Sequence, residues 1–153
     1  MRPVKIIVDA NIVFSGILDS NGKIGDLLIN SKEYFHFIAP EFLRTEIRKH
    51  HHKLAALSKL TTVKVQEAEF HICKDIVFIS DEQISDSLLI EAAKLVADVD
   101  PKDALYIGYS KYFKCKLWSG DGKLSKGLKR KGYNDILTTQ ELFALRETLK
   151  SKN

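Results

Sequence analysis

The chain has 153 residues, 24 Lys and Arg against 20 Asp and Glu for a formal net charge of +4, and 44% hydrophobic residues. That is one domain's length with enough apolar content for a packed core, which excludes wholesale disorder. Cys73 and Cys115 are the only cysteines, which excludes a disulfide scaffold and an all-cysteine zinc site.

Met1-Arg2-Pro3 runs straight into residues 4–8, a short β-branched stretch that reads as the first strand. No long apolar segment follows, so neither a signal peptide nor a membrane span is expected, and the chain reads as a soluble, cytoplasmic protein. Residues 34–39 form a second strand pattern. Residues 40–57 follow as one helix, with Leu43, Ile47 and Leu54 on a shared face. Residues 61–73 are a further helix, residues 76–79 a third strand and residues 85–99 another helix. Asp100-Pro101 has the form of a helix start, with Asp as the cap and Pro at the first helical position. Within that helix Ala104 and Gly108 put small residues on one face, suited to close packing on a sheet. Residues 114–118 and 135–137 complete the strands, and Thr138-Thr139-Gln140-Glu141 has the spacing of a capping box for a terminal helix. Continuous runs such as Ile6-Ile7-Val8 suit strands buried on both faces. The alternation predicts an α/β domain over residues 1–149, a three-layer α/β/α sandwich around a mainly parallel sheet, with residues 150–153 as a polar tail.

The placement of acids is the informative feature. Asp9 directly follows the first strand, and Asp121 follows the fourth in Trp118-Ser119-Gly120-Asp121-Gly122. Both fall at the carboxyl edge of the sheet, where open α/β folds bind ligands. Each also has an ordinary reading, Asp9 as a cap for a segment in which Asn11 and Ser15 serve turns, and Asp121 as a turn or cap residue before a helix. Glu46 lies too far inside its helix to be a cap. It sits at the border of the apolar face, within reach of Arg44, Lys49 or His50. Asp103 sits in the first turn of the helix begun by Asp100, where a negative charge is favourable in itself. Gathered together, such carboxylates would repel one another unless a divalent cation neutralised them. Mg²⁺ and Mn²⁺ prefer oxygen ligands and can activate a water against a phosphate.

These four acids in this order resemble the PIN-domain nucleases. The motifs are Ile7-Val8-Asp9-Ala10-Asn11, then Pro40-Glu41 through Glu46-Ile47, then Asp100-Pro101-Lys102-Asp103-Ala104, and last Trp118-Ser119-Gly120-Asp121. The likeness covers nearly the whole chain and is closest to the toxin component of toxin–antitoxin modules. It implies a Mg²⁺- or Mn²⁺-dependent endoribonuclease acting on single-stranded or structured RNA, a homodimer, and a cognate antitoxin protein as partner. The acidic quartet falls on Asp9, Glu46, Asp103 and Asp121 as catalytic and metal-binding residues, supported by Asn11, Ser119 and Asp100. Lys102 departs from the pattern, standing where many relatives carry another acid, which leaves the number of metals open.

Lys123, Lys126 and Arg130 share a helix face opposite Leu124 and Leu128. That face reads either as a solvated surface or as a patch steering RNA phosphates. His50-His51-His52 cannot converge on one ion from a helix and reads as a solvated helix end. The two cysteines read as small core residues. A catalytically weak PIN-like scaffold is the alternative to the enzyme. A receiver-like phosphorylation domain is disfavoured, because Asp9-Ala10-Asn11 lacks the adjacent acids it requires.

Overall fold

The computed structural model describes residues 2–98 and 103–152. Five strands pair in the order β3-β2-β1-β4-β5. They are β1 (Val4–Val8), β2 (Phe35–Pro40), β3 (Ile76–Ile79), β4 (Lys116–Trp118) and β5 (Ile136–Leu137), and every pairing is parallel. The central strand shows why. Ile6 and Val8 enter the core on one face of the sheet and Ile7 the core on the other, all at most 1% exposed. A strand buried on both faces needs helices above and below it, and parallel connections supply them.

The first layer holds α1 (Ala10–Leu18), α2 (Lys23–Ile29), α5 (Thr62–Cys73) and α9 (Thr139–Ser151), which bring Ile12, Leu28, Ile72 and Leu142 to one core. The opposite layer holds α6 (Asp86–Val96), α7 (Ala104–Phe113) and α8 (Gly122–Arg130), which bring Ala92, Ile107 and Leu128 to the other. The three-layer expectation and all five strands are therefore found. The terminal capping box is present in full, since Thr138 Oγ1 accepts from the Glu141 amide while Glu141 accepts from the Thr138 amide. The last helix continues through Ser151, past the point where the sequence suggests a tail.

Three local expectations need correction. Residues 40–57 are not one helix: Pro40 ends β2, and the helix breaks at His50 into α3 (Phe42–Lys49) and α4 (His51–Ser58). His50 leaves helical geometry at φ −104°, ψ 12°, and its amide bonds back three residues to Ile47 rather than four. Asn11 and Ser15 lie inside α1 rather than in turns. Gly108 packs against α6 rather than the sheet, and a methyl group there would meet Leu89 Cδ2 at 3.1 Å. The proposed helix start at Asp100-Pro101, with Lys102, lies outside the described residues.

A polar link joins the terminal helix α9 to α2 and the turn that follows it. The Arg146 guanidinium, 3% exposed, donates to Ser31 Oγ at 3.1 Å and to the Asp26 carboxylate at 2.7 Å. That pairing, first of all, holds the Asp26 carboxyl below its ordinary range.

Candidate active site

Three of the four sequence-predicted acids line one cleft at the carboxyl edge of the sheet. Its volume is about 550 Å³, and Asp9, Asn11, Glu46 and Asp103 face it. Asp9 arrives there because β1 ends at Val8 and α1 begins at Ala10. Its Oδ1 accepts the Ile12 amide at 3.0 Å as the helix cap, so the ordinary reading of Asp9 also holds. A cap in this position is itself buried. Asp9 is 2% exposed, and burial pushes its carboxyl from 3.8 up to about 6. The Asp121 charge pushes the same way, while the Ser119 hydroxyl and the Ile12 and Asn11 amides pull against it.

Glu46 comes from the second turn of α3. Its carboxylate lies 3.7 Å from Lys49 Nζ and 3.6 Å from His50 Nε2, whereas Arg44 pairs with Glu41 and covers the Phe78 ring. Asp103 immediately precedes α7 and occupies its cap position without a side-chain capping bond.

Asp121 stands apart from the cleft lining. Its Oδ1 caps α8, accepting the Lys123 amide at 2.9 Å and the Leu124 amide at 3.2 Å. It reaches the cleft through its charge on Asp9 and through Ser119. That serine is 2% exposed and accepts the Asp121 amide at 3.1 Å while its hydroxyl acts on Asp9. Asp100 lies outside the described residues.

Three aromatic residues share the cleft: Phe14, Phe42 and Tyr106. Tyr106 was not singled out by the sequence, though it lies one helical turn beyond Asp103. It is 5% exposed, and among the described residues its hydroxyl has no hydrogen-bond partner. Burial drives its ionisation far upward. The Asp9, Asp103 and Glu46 charges add to that, and the Ala10 amide opposes it from outside hydrogen-bonding geometry.

Among the described residues the side-chain donors facing the cleft are carboxylate, amide and phenol oxygens. That set suits a hard divalent cation rather than zinc or copper. Among the described residues no three His, Cys, Asp or Glu side chains stand close enough to grip one ion together. The carboxylates ring the cleft rather than close on a point, an arrangement compatible with a cation that keeps much of its water.

A larger opening of about 800 Å³ lies between α3 and α5, lined by Arg44, Arg48, His51, Glu69, Cys73 and others. Its carboxylate, Glu69, meets His51 Nε2 at 3.2 Å, so it lacks a group of acids. His51 is accordingly half-buried and paired rather than solvated, while His52 is exposed. Lys123, Lys126 and Arg130 line a separate basic groove with Lys131, while Leu124 and Leu128 face inward, fully buried. Cys73 is buried and Cys115 half-buried, and burial pushes both thiols up, to about 12 and about 11. Neither is a ready nucleophile. Among the described residues no helix is long and apolar enough to cross a membrane.

Comparison with known proteins bears on the family and the fold. A family profile described as PIN domain matches residues 7–143. Among solved structures, the chain is similar to one described as VapBC2 from Rickettsia felis bound to a DNA fragment from their promoter. That match has a TM-score of 0.61 at 11% identity and covers 88% of this chain and 98% of the other. No curated protein matches.

Proposed function

The chain belongs to the PIN-domain family, and from that membership we propose that it is a divalent-metal-dependent endoribonuclease, the toxin of a toxin–antitoxin pair. The observation that carries this reading is the meeting of Asp9, Glu46 and Asp103, from three separated segments, in one cleft at the carboxyl edge of the sheet. Asp9, Glu46 and Asp103 would hold Mg²⁺ or Mn²⁺ from the cleft wall, with Asp121 contributing from beside Asp9. Bound there, the cation supplies polarisation of a phosphate oxygen and lowers the pKa of a water.

The chain's own residues prepare the ground. Asp9 is fixed by its bond to the Ile12 amide, so its carboxylate is pre-oriented. Its raised pKa reflects a buried charge that a cation would stabilise. Ser119 ties Asp9 to the Asp121 backbone. Asn11 offers a neutral polar group beside Asp9. The face of Lys123, Lys126 and Arg130 supplies phosphate contacts that do not read sequence.

The likeness to the Rickettsia felis VapBC2 structure supports an antitoxin partner for this chain, and we extend the reading to a homodimer in the cytoplasm. The test is cleavage of an unstructured RNA. EDTA should stop it, and added Mg²⁺ or Mn²⁺ should restore it. A second reading, a weakly active binding scaffold, is favoured by the wide spacing of the acids. It predicts RNA binding without metal-dependent cleavage.

A further inference from the structure

The acidic cleft raises a question that the metal alone does not answer. Among the described residues that line it none is Lys or Arg and three are acids, of which Glu46 has a lysine, Lys49, beside it, so the lining itself offers a phosphate strand little charge attraction. The basic groove on α8 is lined by a different set of residues, so its attraction acts from outside the cleft. Beyond what a bound cation supplies, affinity inside the cleft comes from contacts indifferent to charge.

Two of its side chains offer such contacts. Phe42 is the first residue of α3 and is 44% exposed, yet it packs into neither core cluster. A lone exposed Phe means little; this one lines the cleft. It stands four residues before Glu46, so the two share a helix face about 6 Å apart along the axis. Phe14 lines the same cleft from α1, four residues after Ala10. Its ring is held edge-on to His50, with centroids 5.8 Å apart and planes at 90°. Two aromatic rings on the two helices that bear Asn11 and Glu46 therefore flank the acids.

We infer that Phe42, with Phe14, forms a stacking platform for one unpaired nucleobase of the RNA strand, seated beside the carboxylates that would hold the cation. This inference rests on the nuclease reading and adds the means by which the strand is held. A phenylalanine ring has no hydrogen-bonding group, so the platform accepts any base and reads no sequence. Both faces of a base within a duplex are already stacked, so the platform selects unpaired strands. The spacing of one helical turn between Phe42 and Glu46 suits a base and a phosphate of neighbouring position.

The experiment measures binding of the full chain to short fluorescein-labelled oligoribonucleotides by anisotropy, in Ca²⁺, with strand integrity checked on a gel. Phe42→Ala and Phe42→Leu should weaken single-strand binding about five- to hundredfold. Phe42→Trp should retain it. Leu keeps apolar bulk without a π face, which separates stacking from mere burial. Removing the base at successive positions should cost the wild type affinity at one position and cost Phe42→Ala nothing there. Wild-type affinity in the Ala and Leu variants, or equal abasic losses in wild type and Phe42→Ala, would overturn the platform while leaving the nuclease reading in place. A wild-type protein that binds none of these strands would overturn the nuclease reading and the platform together.

Discussion

Tyr106 and Asp9 line the same cleft, both buried, and the charge of Asp9 is the foremost of those that raise the ionisation of the Tyr106 phenol. Two polar groups in one buried place, one an acid burdened by desolvation and the other a hydroxyl without a partner among the described residues, are costly to the fold. Each cost can be measured.

The Asp9 carboxyl sits near 6 in the folded chain against 3.8 as an ordinary side chain. Between those values the folded state keeps a proton that the unfolded state has lost. Metal-free stability should therefore fall as pH rises from about 4 through 6, with the full penalty above 6. Two pH units correspond to about 3 kcal/mol. Urea unfolding in EDTA at several pH values, compared with Asp9→Asn, isolates this contribution. The wild type should lose stability relative to the variant across that window, whereas a constant difference would show that Asp9 is not desolvated.

Tyr106→Phe removes a hydroxyl that has no partner among the described residues, and almost no volume. Metal-free stability should rise by about 1 kcal/mol, read by chemical denaturation. A loss of that size would mean that the hydroxyl is bonded in solution.

Arg146 carries a buried charge whose Nε has no hydrogen-bond partner among the described residues, while its other nitrogens bind Ser31 and Asp26. Replacing it with Ala removes both bonds and leaves a hole between α9 and α2. Stability should drop by about 3 kcal/mol, without loss of RNA affinity in variants that remain folded. A change under 0.5 kcal/mol in the denaturation midpoint analysis would contradict this role.

Lys126 and Arg130 point away from buried Leu124 and Leu128 into the basic groove. Gln at both positions should weaken binding of all RNA sequences alike and flatten the salt dependence, by about one unit of slope per lost phosphate contact. An unchanged slope would show that the face is only solvated.

The strands were legible because runs such as Ile6-Ile7-Val8 are apolar without alternation, which a doubly covered parallel sheet requires. Thr138 and Glu141 announced the last helix through chemistry local to four residues. The first two helices were less visible. Residues 10–18 mix β-branched residues with Gly16, a poor helix former that is kept because α1 packs tightly there, a methyl group at Gly16 falling 3.1 Å from Ile72 Cδ1. The break at His50 is a backbone event that side-chain periodicity does not report. Asp9, Glu46 and Asp103 could be named from their places after strands and on helices, but their shared cleft depends on tertiary packing. Tyr106 was hidden for a simpler reason: a tyrosine on a helix is ordinarily core, and only the fold shows its hydroxyl in the cleft, without a partner among the described residues.

The most direct measurement of the central claim is the rate at which Asp9→Asn cleaves an unstructured RNA in Mn²⁺, beside the wild type. The substitution is well suited to the purpose, since an Asn side-chain oxygen can still accept the Ile12 amide and cap α1. The fold should survive while a charged oxygen ligand is lost. Cleavage by the wild type and at least a hundredfold loss in the folded variant is the expected result. A folded Asp9→Asn that turns over RNA at the wild-type rate would contradict the assignment of this cleft as the catalytic site.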